Sequence, residues 1–250
     1  MIVKTQAERD ALECIGRIVS KTRDAMVSSV RVGMTTRELD EIGGRILEKY
    51  GAKSAPMIDY HFPGYTCISV NQTVAHGIPD DYKIKSGDLI NVDVSAVLDG
   101  FYADTGKSIV VGDPIASHTV KQNLCRVAYE AMIAGISAAK LGNQINDIGI
   151  SIFETAKKNG YTVIMNLTGH GIGRALHETP QAISNYYCRS ENDKIELGQV
   201  LAIETFISNG SNMVRDSSNG WALKTIDGGF VAQFEHTIIV QEDGPAIITL

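Results

Sequence analysis

Gly87-Asp88-Leu89-Ile90-Asn91-Val92-Asp93 and Gly198-Gln199-Val200-Leu201-Ala202-Ile203-Glu204 read as two versions of one segment, 111 residues apart. Each starts at a glycine, runs through apolar residues and arrives at a carboxylate. Such a run reads as a buried strand, and its return at a fixed offset reads as a duplicated unit. Landmarks upstream repeat too. Gly33 and Gly142 open a helical pattern, Gly51 and Gly160 close it, and Leu39 and Ile148 fall between them, each pair 109 residues apart.

The chain around these landmarks supplies the rest of the unit. Thr5-x-x-Glu8 and Thr35-x-x-Glu38 are capping boxes, in which hydroxyl and carboxylate satisfy the free amides of a helix start. They predict helices to about Val30 and to near Gly51. From about Pro63 to Val111 the text is alternating and β-branched, broken by Gly77, Pro79, Gly87, Gly100 and Gly106, which predicts antiparallel strands and hairpins. Asp113-Pro114 interrupts, helical patterns return from about Ser117 to Leu141 and from about Gln144 to Asn159, and strands resume after Gly160. Helix, helix, strands, written twice without a linker, predicts one α+β domain over residues 1–250, with halves of approximately 1–112 and 113–250. The helices would lie outside a curved antiparallel sheet, the halves related by a pseudo-twofold.

Composition narrows the function. With 250 residues, 44% of them hydrophobic, the chain can bury a sizeable core. Twenty-three basic against 29 acidic residues give a net charge of −6, which argues against a nucleic-acid partner held by a basic face. No apolar run is long enough for a spanning helix, and charges at Lys4, Glu8, Arg9 and Asp10 stand where a signal peptide needs apolar residues. The expected location is cytoplasmic. Cys14, Cys67, Cys125 and Cys188 form no Cys-x-x-Cys pair, which excludes a zinc ribbon or thioredoxin motif and leaves free thiols.

The chemistry sits where the repeat ends. Asp93 and Glu204 fall at equivalent places in buried strands, where an uncompensated carboxylate is costly. Leu98-Asp99-Gly100 reads as a turn leading to Asp104, and alternation along Val231–Thr237 sets Gln233, Glu235 and Thr237 on one face with Phe234 on the other. Four acids then point into one groove, and each raises the pKa of the next unless cations intervene. Two divalent cations would cancel the four charges. Oxygen ligands with one imidazole, His170 in Thr168-Gly169-His170-Gly171-Ile172-Gly173, suit manganese, iron(II) or cobalt better than a structural zinc site. The flanking glycines would let backbone approach a ligand closely. A lone Asp at a hairpin is ordinarily a turn residue; acids at matched repeat positions are harder to dismiss.

These residues lie in longer motifs: Asn71-Gln72-Thr73-Val74-Ala75-His76-Gly77-Ile78-Pro79, Asn91-Val92-Asp93-Val94, Gly100-Phe101-Tyr102-Ala103-Asp104-Thr105, His177-Glu178-x-Pro180, and Ala232-Gln233-Phe234-Glu235-His236-Thr237. With them the sequence resembles the type I methionine aminopeptidases of the pita-bread fold, from about residue 3 to residue 248. The resemblance implies that Asp93 chelates one of two divalent ions, His170 and Glu204 the other, and that Asp104 and Glu235 bridge them. It implies that His177 stabilises charge on the substrate carbonyl oxygen, that His76 binds the peptide near the scissile bond and assists proton transfer, and that Phe62, Cys67 and Trp221 line the methionine slot. The reaction implied is removal of N-terminal methionine before a small second residue, by a hydroxide held between the metals.

The implied partners are peptide and nascent-chain N-termini, reached at or near the ribosome, with no nucleic-acid or membrane motif and no demand for more than a monomer. His61 and His118 lie outside any motif and His236 reads as structural. The sequence departs from the family pattern at Thr205, where proline is usual, at Leu176, where an aromatic is usual, and loosely from Pro56 to Gly64. The alternatives are a proline-specific aminopeptidase on the same fold, which would carry an additional N-terminal domain, and a non-catalytic pita-bread binding protein, which would lose ligands kept here. A purely structural α+β protein would leave the buried acids unexplained.

Overall fold

Both capping boxes close as written. In this computed structural model, which describes residues 1–112 and 119–250, the Thr5 hydroxyl accepts from Glu8 N while the Glu8 carboxylate accepts from Thr5 N. They start α1 (Gln6–Ser29), and Thr35 with Glu38 starts α2 (Thr36–Lys49) in the same way. Leu12, Ile15, Val19 and Met26 recur at steps of three, four and seven residues and are fully buried, so α1 turns one stripe to the sheet. The expected break at Asp113-Pro114, the expected helix start at Ser117, and His118 lie outside the described residues.

After α2 come β1 (Lys53–Ser54), a short helix α3 (Ala55–Tyr60), β2 (Cys67–Val70), β3 (Thr73–Ala75), β4 (Leu89–Leu98) and β5 (Phe101–Val110). The second half brings α4 (Thr119–Ala138), α5 (Ile145–Lys158), β6 (Thr162–Val163), β7 (Thr168–Gly171), β8 (Glu178–Ser184) and β9 (Val200–Ser208). It ends with β10 (Val214–Asp216), β11 (Leu223–Thr225), β12 (Val231–Ile239) and β13 (Ala246–Ile247).

Two details differ from the sequence reading. α3 has too few residues for a periodic pattern; it forms because Ser54 caps it and Pro56 occupies its first turn, where no amide is needed. α4 ends at Ala138 rather than Leu141, because Asn143 Nδ2 takes the Ala138 carbonyl at 2.9 Å and Ala139 N bonds back to Ile136. Leu141 kept the apolar spacing going, but it is 45% exposed.

The duplication is visible in the backbone. Gly33 and Gly142 have φ of +88° and +84°, Gly51 and Gly160 +73° and +79°, and Gly87 and Gly198 +84° and +76°. Paired landmarks therefore share a left-handed conformation that favours glycine. One antiparallel sheet runs β1-β4-β5-β12-β9-β7-β8, with β2 on β4, β6 on β9 and β13 on β12. The β4–β5 hairpin of the first half thus meets the β12–β9 pair of the second in mid-sheet. A smaller sheet, β10-β11-β3, stands apart from it. Each half has its own apolar cluster: Leu12, Ile15, Val19 and Leu39 with Val92 and Val94 in the first, Ala128, Met132, Ile148 and Ile152 with Ile203 and Ile207 in the second.

Candidate metal centre

Strand register assembles the site as two rows across the pleat. Cys67 on β2 stands opposite Asp93 on β4, which stands opposite Gly106 on β5; Glu204 on β9 stands opposite Glu235 on β12. In the neighbouring row Ser95 faces Asp104, and Thr237 faces Ala202, which faces His170 on β7. Alternate residues share a face, so Asp93 and Asp104 reach the same side of β4–β5. The turn between those strands works as read: Asp99 and Gly100, with φ of +51° and +76°, make the two-residue turn that fixes this register. All five sequence-predicted ligands line one cavity of about 380 Å³, and carboxylate or imidazole atoms of Asp104, His170 and Glu235 lie within 4.8 Å of one another.

Without a counter-charge this is an expensive arrangement. Glu204 and Glu235 are directly opposed like charges. Burial pushes the pKa of Asp93 well above the usual carboxylate range, and Asp104 and then Glu204 add to it. Burial does the same to Glu204, reinforced by Asp104, and to Glu235, reinforced by Asp104, Glu204 and Asp93. Asp104 is pushed up to about 6, again chiefly by burial. Glu235 is the sharpest case. Its Oε2 accepts from Gln233 Nε2 at 3.0 Å, but its Oε1 is buried with no hydrogen-bond partner among the described residues. A buried polar atom left unpaired costs on the order of 1–3 kcal/mol, and a cation among these oxygens would remove that cost.

His170 completes the donor set. It is 3% exposed and burial, with His177 nearby, pushes its pKa down to about 4, so the imidazole is neutral at ordinary pH. Nδ1 lies 3.0 Å from the Gly171 carbonyl, which assigns the proton to Nδ1 and leaves the Nε2 lone pair free, 3.9 Å from Glu204 Oε1. A carbonyl behind a ligating imidazole is the usual way to fix its tautomer. Four carboxylates and one neutral nitrogen, with Asp104, His170 and Glu235 buried and Asp93 and Glu204 half-buried, fit divalent cations. The glycines beside His170 have a different purpose from the one expected. A Cβ on Gly169 would lie 2.5 Å from the Ala202 carbonyl, and one on Gly171 2.4 Å from that of Thr179. They admit neighbouring strands, not a ligand.

The other predicted residues line the same cavity. His177 packs against His170 at a tilt of 48°, ring centroids 4.2 Å apart, and its Nδ1 lies 2.7 Å from the Tyr60 hydroxyl. Desolvation holds the pKa of His177 below its ordinary value against the pull of Asp59. His76 has a left-handed φ of +53°, held by the close approach of Gly77 to the Ile68 carbonyl. It opens to solvent yet lines the cavity wall, and desolvation followed by His177 lowers its pKa too. Phe62 and Trp221 meet edge to face at 5.2 Å, and Cys67 is buried beside Asp93. Burial, then Asp93, pushes the Cys67 thiol up, so it is a neutral apolar wall. His236 faces away from the cavity and bonds Thr249 Oγ1 at 2.8 Å, and His61 is exposed.

Several contributors escaped the sequence reading. Tyr60 sits at the end of the unread helix α3, and Phe206 lines the cavity two residues beyond Glu204. Asn91 donates to Gln233 Oε1 at 2.6 Å, and Gln233 in turn donates to Glu235. Alternation had already turned Gln233 toward the acids; nothing in the pattern marked Asn91 as its partner. The two single-residue departures have plain roles. Thr205 is fully buried and donates to the Ala128 carbonyl at 3.1 Å, tying β9 to α4, and Leu176 lines the cavity beside His177.

Known proteins match the chain in both sequence and fold. Residues 10–242 match the profile of metallopeptidase family M24. The chain is 48% identical over 249 residues to the methionine aminopeptidase of Staphylococcus epidermidis, covering 100% of this chain and 98% of the relative. It superposes on methionine aminopeptidase from Rickettsia prowazekii with a TM-score of 0.93 at 35% identity, over 100% of both chains. Prolidase from Pyrococcus furiosus gives a TM-score of 0.78 at 24% identity over 100% of this chain but 65% of that one, a likeness of fold alone.

Proposed function

The chain belongs to metallopeptidase family M24, with the methionine aminopeptidases, and from that premise we propose how its cavity removes an N-terminal methionine. Asp93, Asp104, His170, Glu204 and Glu235 would hold two divalent cations, manganese, iron(II) or cobalt. Bound there, the cations supply Lewis acidity and bring the pKa of a water toward neutrality. The observation that carries this reading is the unpartnered, buried Oε1 of Glu235 among three further carboxylates and a neutral imidazole.

The protein's own groups do the rest. With Tyr60 donating to its Nδ1, neutral His177 carries its proton on Nε2 and can donate to the carbonyl oxygen as charge develops there. His76, at the cavity mouth, would hold the peptide near the scissile bond and shuttle a proton. A free α-amine suits the acidic floor, which restricts cleavage to a terminal residue. Phe62, Cys67 and Trp221 form an apolar, aromatic slot for a flexible thioether, which makes favourable contacts with ring edges. The substrates would be peptides and nascent chains whose second residue is small, met in the cytoplasm by a one-domain monomer, with ribosome-bound chains the natural source. Among the described residues no helix is long and apolar enough to cross a membrane.

The experiment is turnover of Met-Ala-Ser against Ala-Pro peptides, with metal content measured in the same sample. Cleavage of the first, lost with chelator and restored by manganese, cobalt or iron(II), is expected. Preference for Ala-Pro, or full turnover by metal-stripped protein, would overturn the proposal.

A further inference from the structure

The two halves meet at a seam that is not an ordinary ladder. β4 and β5 pair at ten consecutive positions and β9 and β12 at nine, but β5 and β12 share the single residue pair Lys107–Phe234. On either side of that pair the register continues, with hydroxyl side chains taking the place of direct backbone bonds. Ser108 Oγ accepts from Gln233 N at 3.0 Å and donates to Gln233 O at 2.9 Å. Thr237 Oγ1 accepts from Asp104 N at 2.9 Å and donates to Asp104 O at 2.8 Å. Thr105 Oγ1 donates to Glu235 O at 2.9 Å and itself accepts from the buried guanidinium of Arg23.

A hydroxyl inserted between two backbones holds them farther apart than a direct N–H···O bond, while leaving no amide or carbonyl unpaired. The residues flanking this opened seam are Asp104 on one strand and Glu235 on the other, the two acids that would lie between the cations. We propose that Thr237, with Ser108 as its counterpart across the seam, is a positioning residue that sets the separation of Asp104 and Glu235 and so the capacity for a second cation. The proposal rests on the two-cation reading of the site and goes beyond it by assigning the spacing to the seam between the duplicated halves.

The test is Mn²⁺ titration by calorimetry, with electron paramagnetic resonance at two equivalents, on full-length Thr237→Val, Thr237→Ser and Thr205→Val. Thr205 is a control, a fully buried threonine on the adjacent strand whose hydroxyl bonds the Ala128 carbonyl on α4 at 3.1 Å and the Phe234 carbonyl on β12 at 3.3 Å, and does not reach across to the backbone of β5. Thr237→Val should keep the first Mn²⁺, weaken the second by about tenfold or more, and replace the coupled-pair spectrum with that of isolated ions. Thr237→Ser should restore both, and Thr205→Val should lose thermal stability while titrating like the parent. Should Thr237→Val fail to fold, Ser108→Ala carries the test with the same expected weakening. A parent that binds two Mn²⁺ while Thr237→Val, or in its place Ser108→Ala, binds the second as tightly overturns the seam proposal alone. A parent that binds only one overturns the two-cation reading beneath it.

Discussion

Gly106 offers the most exacting test of how the site is held. It stands opposite Asp93 on β5, and its missing side chain is the space occupied by the amide of Gln233. A Cβ built there would lie 2.0 Å from Gln233 Oε1 and 2.4 Å from Nε2, far inside contact distance, so Gly106→Ala must drive that amide out. Two buried hydrogen bonds go with it, Gln233 to Glu235 at 3.0 Å and Asn91 to Gln233 at 2.6 Å. Leaving buried partners unpaired costs about 1–3 kcal/mol each. Alanine recovers about 0.5–1 kcal/mol because glycine is the poorer residue inside a strand. The net loss is then about 1–5 kcal/mol, or a fall in Tm of roughly 2–20 °C for a chain of this size. The Glu235 carboxylate, freed from the one hydrogen bond it accepts among the described residues, should also bind cations about 10–100-fold more weakly. Thermal melts with and without Mn²⁺, and Mn²⁺ titration, read the two effects separately. A Gly106→Ala protein that melts and titrates like the parent would refute the claim that Gln233 fixes Glu235.

The remaining predictions concern charge and protons. His177→Ala should lower kcat by about 10²–10³ with cations still bound, as for loss of a donor to a developing oxyanion, and Tyr60→Phe should lower it less; steady-state kinetics beside metal analysis checks both. Mn²⁺ affinity should rise with pH, because the cation-free carboxylates hold protons that binding must release; calorimetry in buffers of different ionisation enthalpy counts them, and a flat profile from pH 6 to 8 contradicts it. Cation-free protein should lose stability as pH rises above about 7.5. There His170, held near 4 when folded and at an ordinary imidazole pKa when unfolded, is neutral in both states, while carboxylates with raised folded pKa give up the stability they contributed when protonated. Urea melts at about pH 7.5 and 8.5, with and without Mn²⁺, should show the fall only without it.

How much of this was legible in the chain follows from the range of each signal. The helices announced themselves because their cues are local: Thr5 with Glu8 and Thr35 with Glu38 lie three residues apart and meet within one turn. The acids were legible because a duplication is its own alignment: Asp93 and Glu204 end matched strands, and strict alternation carries Gln233, Glu235 and Thr237 to one face. Tyr60 was not legible, since a helix of six residues shows no period, and its contact with His177 spans 117 residues. The glycines beside His170 were read for the right property and the wrong neighbour, because a sequence shows where a Cβ is missing but not which strand fills the space. The seam hydroxyls lie beyond periodicity altogether. Serine and threonine inside strands read as ordinary pleat residues, and only the register of β5 against β12 turns Thr237 toward the backbone of Asp104, 133 residues away. Duplication explains why that information is missing. Each half carries its own pattern, but the cavity lies between halves, and the residues that set its width belong to neither pattern.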